Sequence, residues 1–519
     1  MAAAIALLTI ALPSAQKRAQ PPLVSADIDA IATLLMLEET RRFDDPELQR
    51  LAKSQHPEVR RRAIQAVGRI ADNRGTAIID AAGRDPDVEV AATAAWSAGQ
   101  LRDPGAIAWL AQTLSAPKGP APVAREAAIA LGKIQTPEAR AALAQYLSSA
   151  VPTAPGTIVG EALLSIGRFP AGGDLAPILR WTSSRDVEVR WRAAWALFRP
   201  RDPAALTELL RLSRDASGDV RFWAVRGLIP HPGVDPAPAG TRLREAVRDP
   251  DRRVRTEALR AMGQHDDETS LTIVLEMLDS PDSWLSVSAA EALARQEGRA
   301  DAVVPRLVAA AAPGRPLALR LTARQSLSRL GAPGKAALGA LSTEGLPPAP
   351  PAGSRGVRPQ QQVRELAEYR QIVERRIVPD YNGAPKPRAV WETPRGIVEL
   401  ELYPGDAPLG VEYFIRVTES GDIVGTEFSR VVPNFVAQQR GIRNAVVLRD
   451  EVNRLGLTRG NLSWASAGLD TGRPGYTLGI TPQPHNEGSF TALGRVVRGM
   501  EVVERIELGD AITAARMVR

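Results

Sequence analysis

The chain has 519 residues, 44% of them hydrophobic and only 4% aromatic, with a formal net charge of +6 and no cysteine. That length exceeds one ordinary hydrophobic core, and the missing thiols exclude disulfides, thiolate zinc sites and cysteine nucleophiles. The charge excess is mild and dispersed, with no Lys/Arg block interleaved with aromatics, so nucleic acid is not expected as a partner.

The chain opens on an apolar run, Ala2–Leu12, that ends in the small residues Pro13-Ser14-Ala15. Its length suits a secretory h-region, although the basic residues Lys17 and Arg18 follow the run instead of preceding it. Residues 1–25 are read as a signal peptide and leader of a bacterial exported protein. The expected location is extracytoplasmic (periplasm or secreted), and cytoplasmic if the run is not a signal. The run is too short for a comfortable bilayer crossing and nothing later reaches ~20 apolar residues, so the mature chain is expected to hold no integral membrane segment.

From residue 26 to 343 one pattern repeats. An apolar residue is followed by Ala four places on and often by Gly nine places on. The eight starts are Val59, Val90, Val123, Ile158, Val189, Val220, Val254 and Leu285, spaced 31 to 35 residues apart. Positions i and i+4 share a helix face, and Ala there lets a second helix come close. The Gly suggests a helix end in a left-handed cap, and Asp85, Asp186, Asp249 and Asp282 fall near N-cap positions. A second helix fits between, as in Ala106–Leu114 and Ala204–Leu212. No such helix pair can bury its own apolar stripe, so the units must stack. Arg60, Arg190, Arg221 and Arg255 each follow a motif start and are placed to form a ladder with Asp between repeats. The pattern resembles the short variety of HEAT repeats, an all-α solenoid. That resemblance implies a protein partner bound on the concave repeat face.

Residues 344–387 read as a Pro-rich linker with a connecting helix over Gln361–Val378, able to dock on either neighbour. From Gly396 the period changes. Val398, Leu400 and Leu402 alternate with acidic residues as in a half-buried strand. A short helix begins at Pro408, and strand-like runs follow at Glu427–Val432, Asn461–Ala465, Tyr476–Ile480 and Leu493–Val497. Mostly strands with two helices suggest a closed antiparallel barrel. Histidines are scattered and no phosphate-binding loop or nucleophile elbow occurs, so neither cofactor nor metal is expected.

Several stretches of residues 388–519 carry a specific likeness: Thr393-Pro394-Arg395-Gly396, Glu401-Leu402-Tyr403, Phe428–Gln438, Asp450-Glu451, Gly460–Ala465, Pro482–His485 and Leu493–Val503. They resemble the cyclophilin family, whose members are eight-stranded barrels that isomerise X-Pro peptide bonds. The resemblance implies Arg430 as the catalytic group, Phe435 as a wall of the proline pocket, and Gln438 as a holder of a substrate carbonyl or of Arg430. Ala465, His485 and Phe490 would line the groove. Two departures weigh against full activity. The family's backbone-clamping Gln is Gly475 here, and its aromatic pocket floor is Thr477. The expected function is therefore a peptidyl-prolyl isomerase for X-Pro-containing client proteins with a repeat scaffold. The alternative is a weakened barrel that holds proline peptides without turning them over.

Overall fold

The computed structural model describes residues 20–347, 364–442, 446, 448–466, 468–471 and 475–518. The proposed signal segment up to residue 19, linker residues 348–363 and Pro474 lie outside them. Among the described residues no helix is long and apolar enough to cross a membrane.

Residues 25–340 form stacked helix pairs. Each motif start lies on a helix of one row: Pro57–Ile70, Val88–Leu101, Ala121–Ile134, Gly156–Ile166, Val187–Phe198, Gly218–Val225, Arg252–Met262 and Ser283–Leu293. Each of these packs on the next, so their Ala faces fuse into one continuous core. Ala63, Ala94, Ala127, Ala162, Ala193, Ala224, Ala258 and Ala289 are fully buried. The shorter helices, such as Ile107–Ser115 and Leu206–Leu212, make the second row.

The glycine of the motif has a different job from the one its position suggested. It is not the left-handed cap. Those caps fall three residues later, at Ala71 (φ 58°), Arg102 (φ 51°) and Gln135 (φ 58°). Gly167 and Gly263 do end helices, but in right-handed backbone. What the glycine provides is room. A Cβ on Gly99 would stand 2.8 Å from the Cα of Ala130, one on Gly167 2.7 Å from the Cα of Ala196, and one on Gly263 2.5 Å from the carbonyl oxygen of Ala292. Each of those neighbours belongs to the next helix of the row, so adjacent repeats touch backbone to backbone.

The arginine ladder forms at three of its four expected rungs. Arg60 pairs with Asp85 at 2.8 Å, Arg190 with Asp215 at 2.9 Å and Arg221 with Asp249 at 2.8 Å. Arg255 makes only the backbone half of the pattern, donating to the carbonyls of Asp249 and Pro250. Asp186 and Asp282 are N-caps as expected. At the other two sites the cap is Asp87 and Asp251, which leaves Asp85 and Asp249 free to receive the arginine of the preceding repeat.

The connecting helix runs from Leu366 to Tyr381 with one wide turn at Val373–Ile377. It returns to the beginning of the solenoid and packs on its first helix, Ser25–Thr40. Tyr369 is buried there and donates to Glu39 at 2.6 Å, while Arg364 pairs with the same carboxylate. On its other side Arg375 and Arg376 bind Glu412 of the barrel at 2.9 and 2.5 Å.

The C-terminal domain is one curled antiparallel sheet of eight strands: β1 (Arg388–Thr393), β2 (Gly396–Leu402), β3 (Glu427–Val432), β4 (Val436–Arg440), β5 (Asn461–Trp464), β6 (Tyr476–Gly479), β7 (Ala492–Arg498) and β8 (Ala514–Val518). The order across the sheet is β3-β4-β6-β5-β7-β2-β1-β8. Main-chain bonds between residues 425–428 and 509–512, at 2.8 to 3.0 Å, join its two edges into a barrel. The helices Pro408–Glu419 and Met500–Val503 accompany it. Tyr476 stacks on Trp464 at 5.0 Å and meets Phe414 edge-on at 4.9 Å, so it belongs to the core, not to the cleft.

The barrel lies against the first row of repeat helices along most of its length. Arg69 reaches the carbonyls of Asp406 and Val452, Arg62 that of Gly405, and Arg168 that of Pro484. Arg454 of the barrel answers with Glu89 and Glu126, and Trp284 of the solenoid packs into the barrel's own apolar cluster. The first row of repeat helices thus has a packing partner within the same chain.

Candidate functional site

The sequence pattern puts Arg430 two residues after the fully buried Phe428 on β3. Strict alternation would turn both side chains to the same face. A bulge between them breaks the alternation, and such bulges re-aim side chains. Phe428 enters the core and Arg430 stays exposed. Register then lines up Arg430, Gln438, Thr477 and Ser463 across β3, β4, β6 and β5.

The Arg430 guanidinium lies 5.3 Å from the centroid of the Phe435 ring. No carboxylate pairs with it among the described residues, and partial loss of hydration among its neighbours, together with nearby Arg440, pushes its pKa down from the usual arginine value. It remains charged, as guanidinium groups in proteins do. Gln438 touches it only at 3.5 Å. The Gln438 amide is better satisfied with its oxygen on Arg440, at 2.9 and 3.0 Å. Arg430 therefore keeps its donors available.

Phe435 is half-buried, and His485 stacks beside it at 6.1 Å and 24°. The His485 ring retains solvent-exposed surface but stands in a crowded, cationic corner. Loss of hydration there, reinforced by Arg226, Arg199 and Arg168, pushes its pKa down to about 4. The ring is neutral at neutral pH. Ala465 is buried at the end of β5, and its N–H donates to the Gly475 carbonyl at 3.0 Å. Phe490 is half-buried and does not line the cavity at Phe435. The structure thus brings Arg430, Phe435 and Gln438 together, with His485 stacked beside Phe435.

Gly475 has a physical reason. A Cβ there would lie 2.4 Å from the Gln439 carbonyl oxygen. The close approach of the two backbones excludes any side chain, so a clamping Gln cannot be accommodated. Thr477 is buried beside Gln438 and leaves the pocket floor without an aromatic ring.

The loop before Phe435 lies inside the Phe428–Gln438 motif, but its anchoring to the solenoid was not readable from it. Asn434 has a left-handed backbone (φ 60°), which Asn tolerates better than most residues. Its amide donates to the Arg253 carbonyl at 2.9 Å and to Glu257 at 2.8 Å, both on the solenoid. Arg260 of the solenoid donates to the Pro433 carbonyl at 3.0 Å. From the barrel side, Thr481 donates to the Asn434 carbonyl at 2.6 Å and Ile480 to that of Phe435 at 2.9 Å. Phe435 is held by both domains. Beside it a cavity of about 370 Å³ opens between barrel and solenoid.

Comparison with known proteins agrees with this barrel. The family described as cyclophilin type peptidyl-prolyl cis-trans isomerase/CLD matches residues 389–519, and HEAT repeats match residues 75–154 and 240–328. The chain belongs to the cyclophilin-type peptidyl-prolyl cis-trans isomerase family through its C-terminal domain. Among its relatives, peptidyl-prolyl cis-trans isomerase B of Bacillus subtilis is 34% identical over 128 residues, covering 23% of this chain and 90% of that protein. A peptidyl-prolyl cis-trans isomerase of Helicobacter pylori is 32% identical over 134 residues, 24% of this chain and 82% of that protein. A solved cyclophilin type isomerase of Cryptosporidium parvum matches at 19% identity, covering 26% of this chain and 98% of that chain, with a TM-score of 0.24.

Proposed function

We propose that this chain catalyses cis–trans rotation of X-Pro bonds in client proteins, with Arg430 as the catalytic group. The uncatalysed barrier is ~20 kcal/mol because the amide C–N bond is partly double. A guanidinium that donates to the prolyl nitrogen draws its lone pair out of that resonance, and the bond turns more freely. No proton changes hands, so a permanently charged donor suits the task. Phe435 packs on the proline ring, Gln438 faces the neighbouring peptide, and His485 supports Phe435 as a neutral ring. The observation that carries the reading is an exposed guanidinium without a carboxylate partner among the described residues, lying against a half-buried aromatic.

Gly475 and Thr477 favour a second reading, a barrel that grips proline segments without turning them over. One experiment separates the two. Isomerisation of an X-Pro tetrapeptide is measured with the full chain and with Arg430→Ala. The expected loss in kcat/KM is about 100- to 1,000-fold at an unchanged melting temperature. Equal rates would overturn catalysis, and peptide binding without turnover would leave the second reading. Export of the chain belongs to the same proposal and rests on the N-terminal apolar run; sequencing the mature N-terminus tests it.

A further inference from the structure

The cavity beside Phe435 has two unlike walls. The barrel contributes Phe435, Pro482 and His485, which are apolar or neutral. The solenoid contributes four arginines, Arg201, Arg226, Arg260 and Arg295, against two carboxylates, Glu257 and Glu291. The charge is therefore unbalanced toward positive. Glu257 binds Arg260 at 2.8 Å and Arg226 at 3.4 Å, and Glu291 binds Arg260 at 3.0 Å. Arg226 is further fixed over the rings of Trp223 and Phe198, at 4.9 and 5.1 Å. Arg201 and Arg295 are exposed and pair with no carboxylate among the described residues.

Two polar atoms of the lining lack partners. The Nη2 of Arg260 and the Oδ1 of Asn434 are both buried without a hydrogen bond. Asn434 cannot relieve this by turning its amide, because its nitrogen already serves two acceptors. A buried polar group without a partner is costly, and here one is a cationic donor and the other an acceptor. A peptide offers both complements, an N–H for Asn434 and an oxygen for Arg260.

We propose that the solenoid forms the second half of the substrate cleft, and that its arginine wall selects X-Pro segments carrying a carboxylate close to the proline. Arg201 and Arg295 take the carboxylate at the mouth, while Arg260 and Asn434 meet the peptide backbone within. This rests on the isomerase reading for the proline-binding end of the cleft.

The test uses the full chain and the variant Arg201→Glu/Arg295→Glu. Both positions are exposed and outside the catalytic group, and Arg201→Ala/Arg295→Ala serves as a milder second variant. The probes are acetylated X-Pro hexapeptides. Three are C-terminally amidated, with Glu, Lys or no charge beside the proline, and a fourth is uncharged but ends in a free carboxylate. Dissociation constants come from fluorescence anisotropy and kcat/KM from isomerisation. The native chain is expected to bind the Glu peptide about tenfold or more tighter than the Lys peptide. Charge reversal should erase or invert that ratio, the Ala pair should shrink it, and the uncharged amide should not respond. A preference for the free-acid peptide alone assigns the wall to chain ends instead of side chains. Equal affinities for Glu and Lys peptides, or an equal loss for all peptides in the variants, would overturn the proposal. Turnover without charge preference would refute it and leave the isomerase intact. Charge preference without turnover would support it and refute the isomerase.

Discussion

The solenoid and the barrel store information differently. In the solenoid one rule is written eight times, so any single rung can fail, as the ladder does at Arg255, and the array still stands. In the barrel each position is written once. Gly475 and Asn434 have no second copy, and each is fixed by a close approach or hydrogen bonds to one particular neighbour. Periodicity protects a fold against local error, whereas a site is exposed to it.

Substitutions can break or sharpen that contrast. Gly99→Val should cost most, about 3 kcal/mol or more, because its Cβ meets the backbone of the next helix, which cannot rotate away. A denaturant melt showing a change within about 0.5 kcal/mol would mean that repeats slide freely past one another. Gly475→Gln, which restores the residue of related barrels, should lower stability by about 2 kcal/mol and should not raise isomerase activity, since the Gln439 carbonyl occupies the space. A faster enzyme would refute that account. Asn434→Ala should lose about 1–2 kcal/mol from two hydrogen bonds and a strained backbone. It should also weaken peptide binding through the loop that carries Phe435, whereas a stability loss with unchanged binding would detach that loop from the site.

The smallest effect concerns pH. Glu451 receives the N–H groups of Leu409 and Gly410 at 3.1 and 2.7 Å, at the start of the barrel's helix. Burial nevertheless raises its pKa to about 7. The folded chain then holds a proton that the unfolded chain releases near pH 4.5, so this residue's contribution to stability falls as pH rises from about 4.5 to 7. Glu451→Gln should remove that slope. The difference in unfolding free energy between variant and native chain should shift in the variant's favour by on the order of 1 kcal/mol between pH 5 and pH 8. A pH-independent difference would place the proton elsewhere.

The repeats were legible because i, i+4 spacing encodes a helix face directly. The role of their glycines was not, because the atom that forbids a side chain lies about one repeat further along the chain. Arg430, Phe435 and Gln438 stand in a contiguous motif, and the register of β3 and β4 shows why they are spaced as they are. Arg201 and Arg295 carried no local signal, and Asn434, although inside that motif, gave no sign of its hold on the solenoid. They matter only because two domains meet there, and nothing in the period of the first predicts where the second will dock. The apolar face of the connecting helix was readable, and its choice of neighbour was not.

That choice has a consequence for biosynthesis. A helix array needs its terminal faces covered, and here the first helix, with Ile31 and Leu35 in its buried face, is covered in part by Tyr369 and Ile372. Tyr369 and Glu39, which join across that seam, are 330 residues apart. At ribosomal speeds of about 5–20 residues per second the earliest-made end waits roughly 15 to 65 seconds for its lid. The nascent chain therefore emerges with an open greasy edge and is sealed from the wrong end, so assembly of the array is finished by the segment that introduces the barrel.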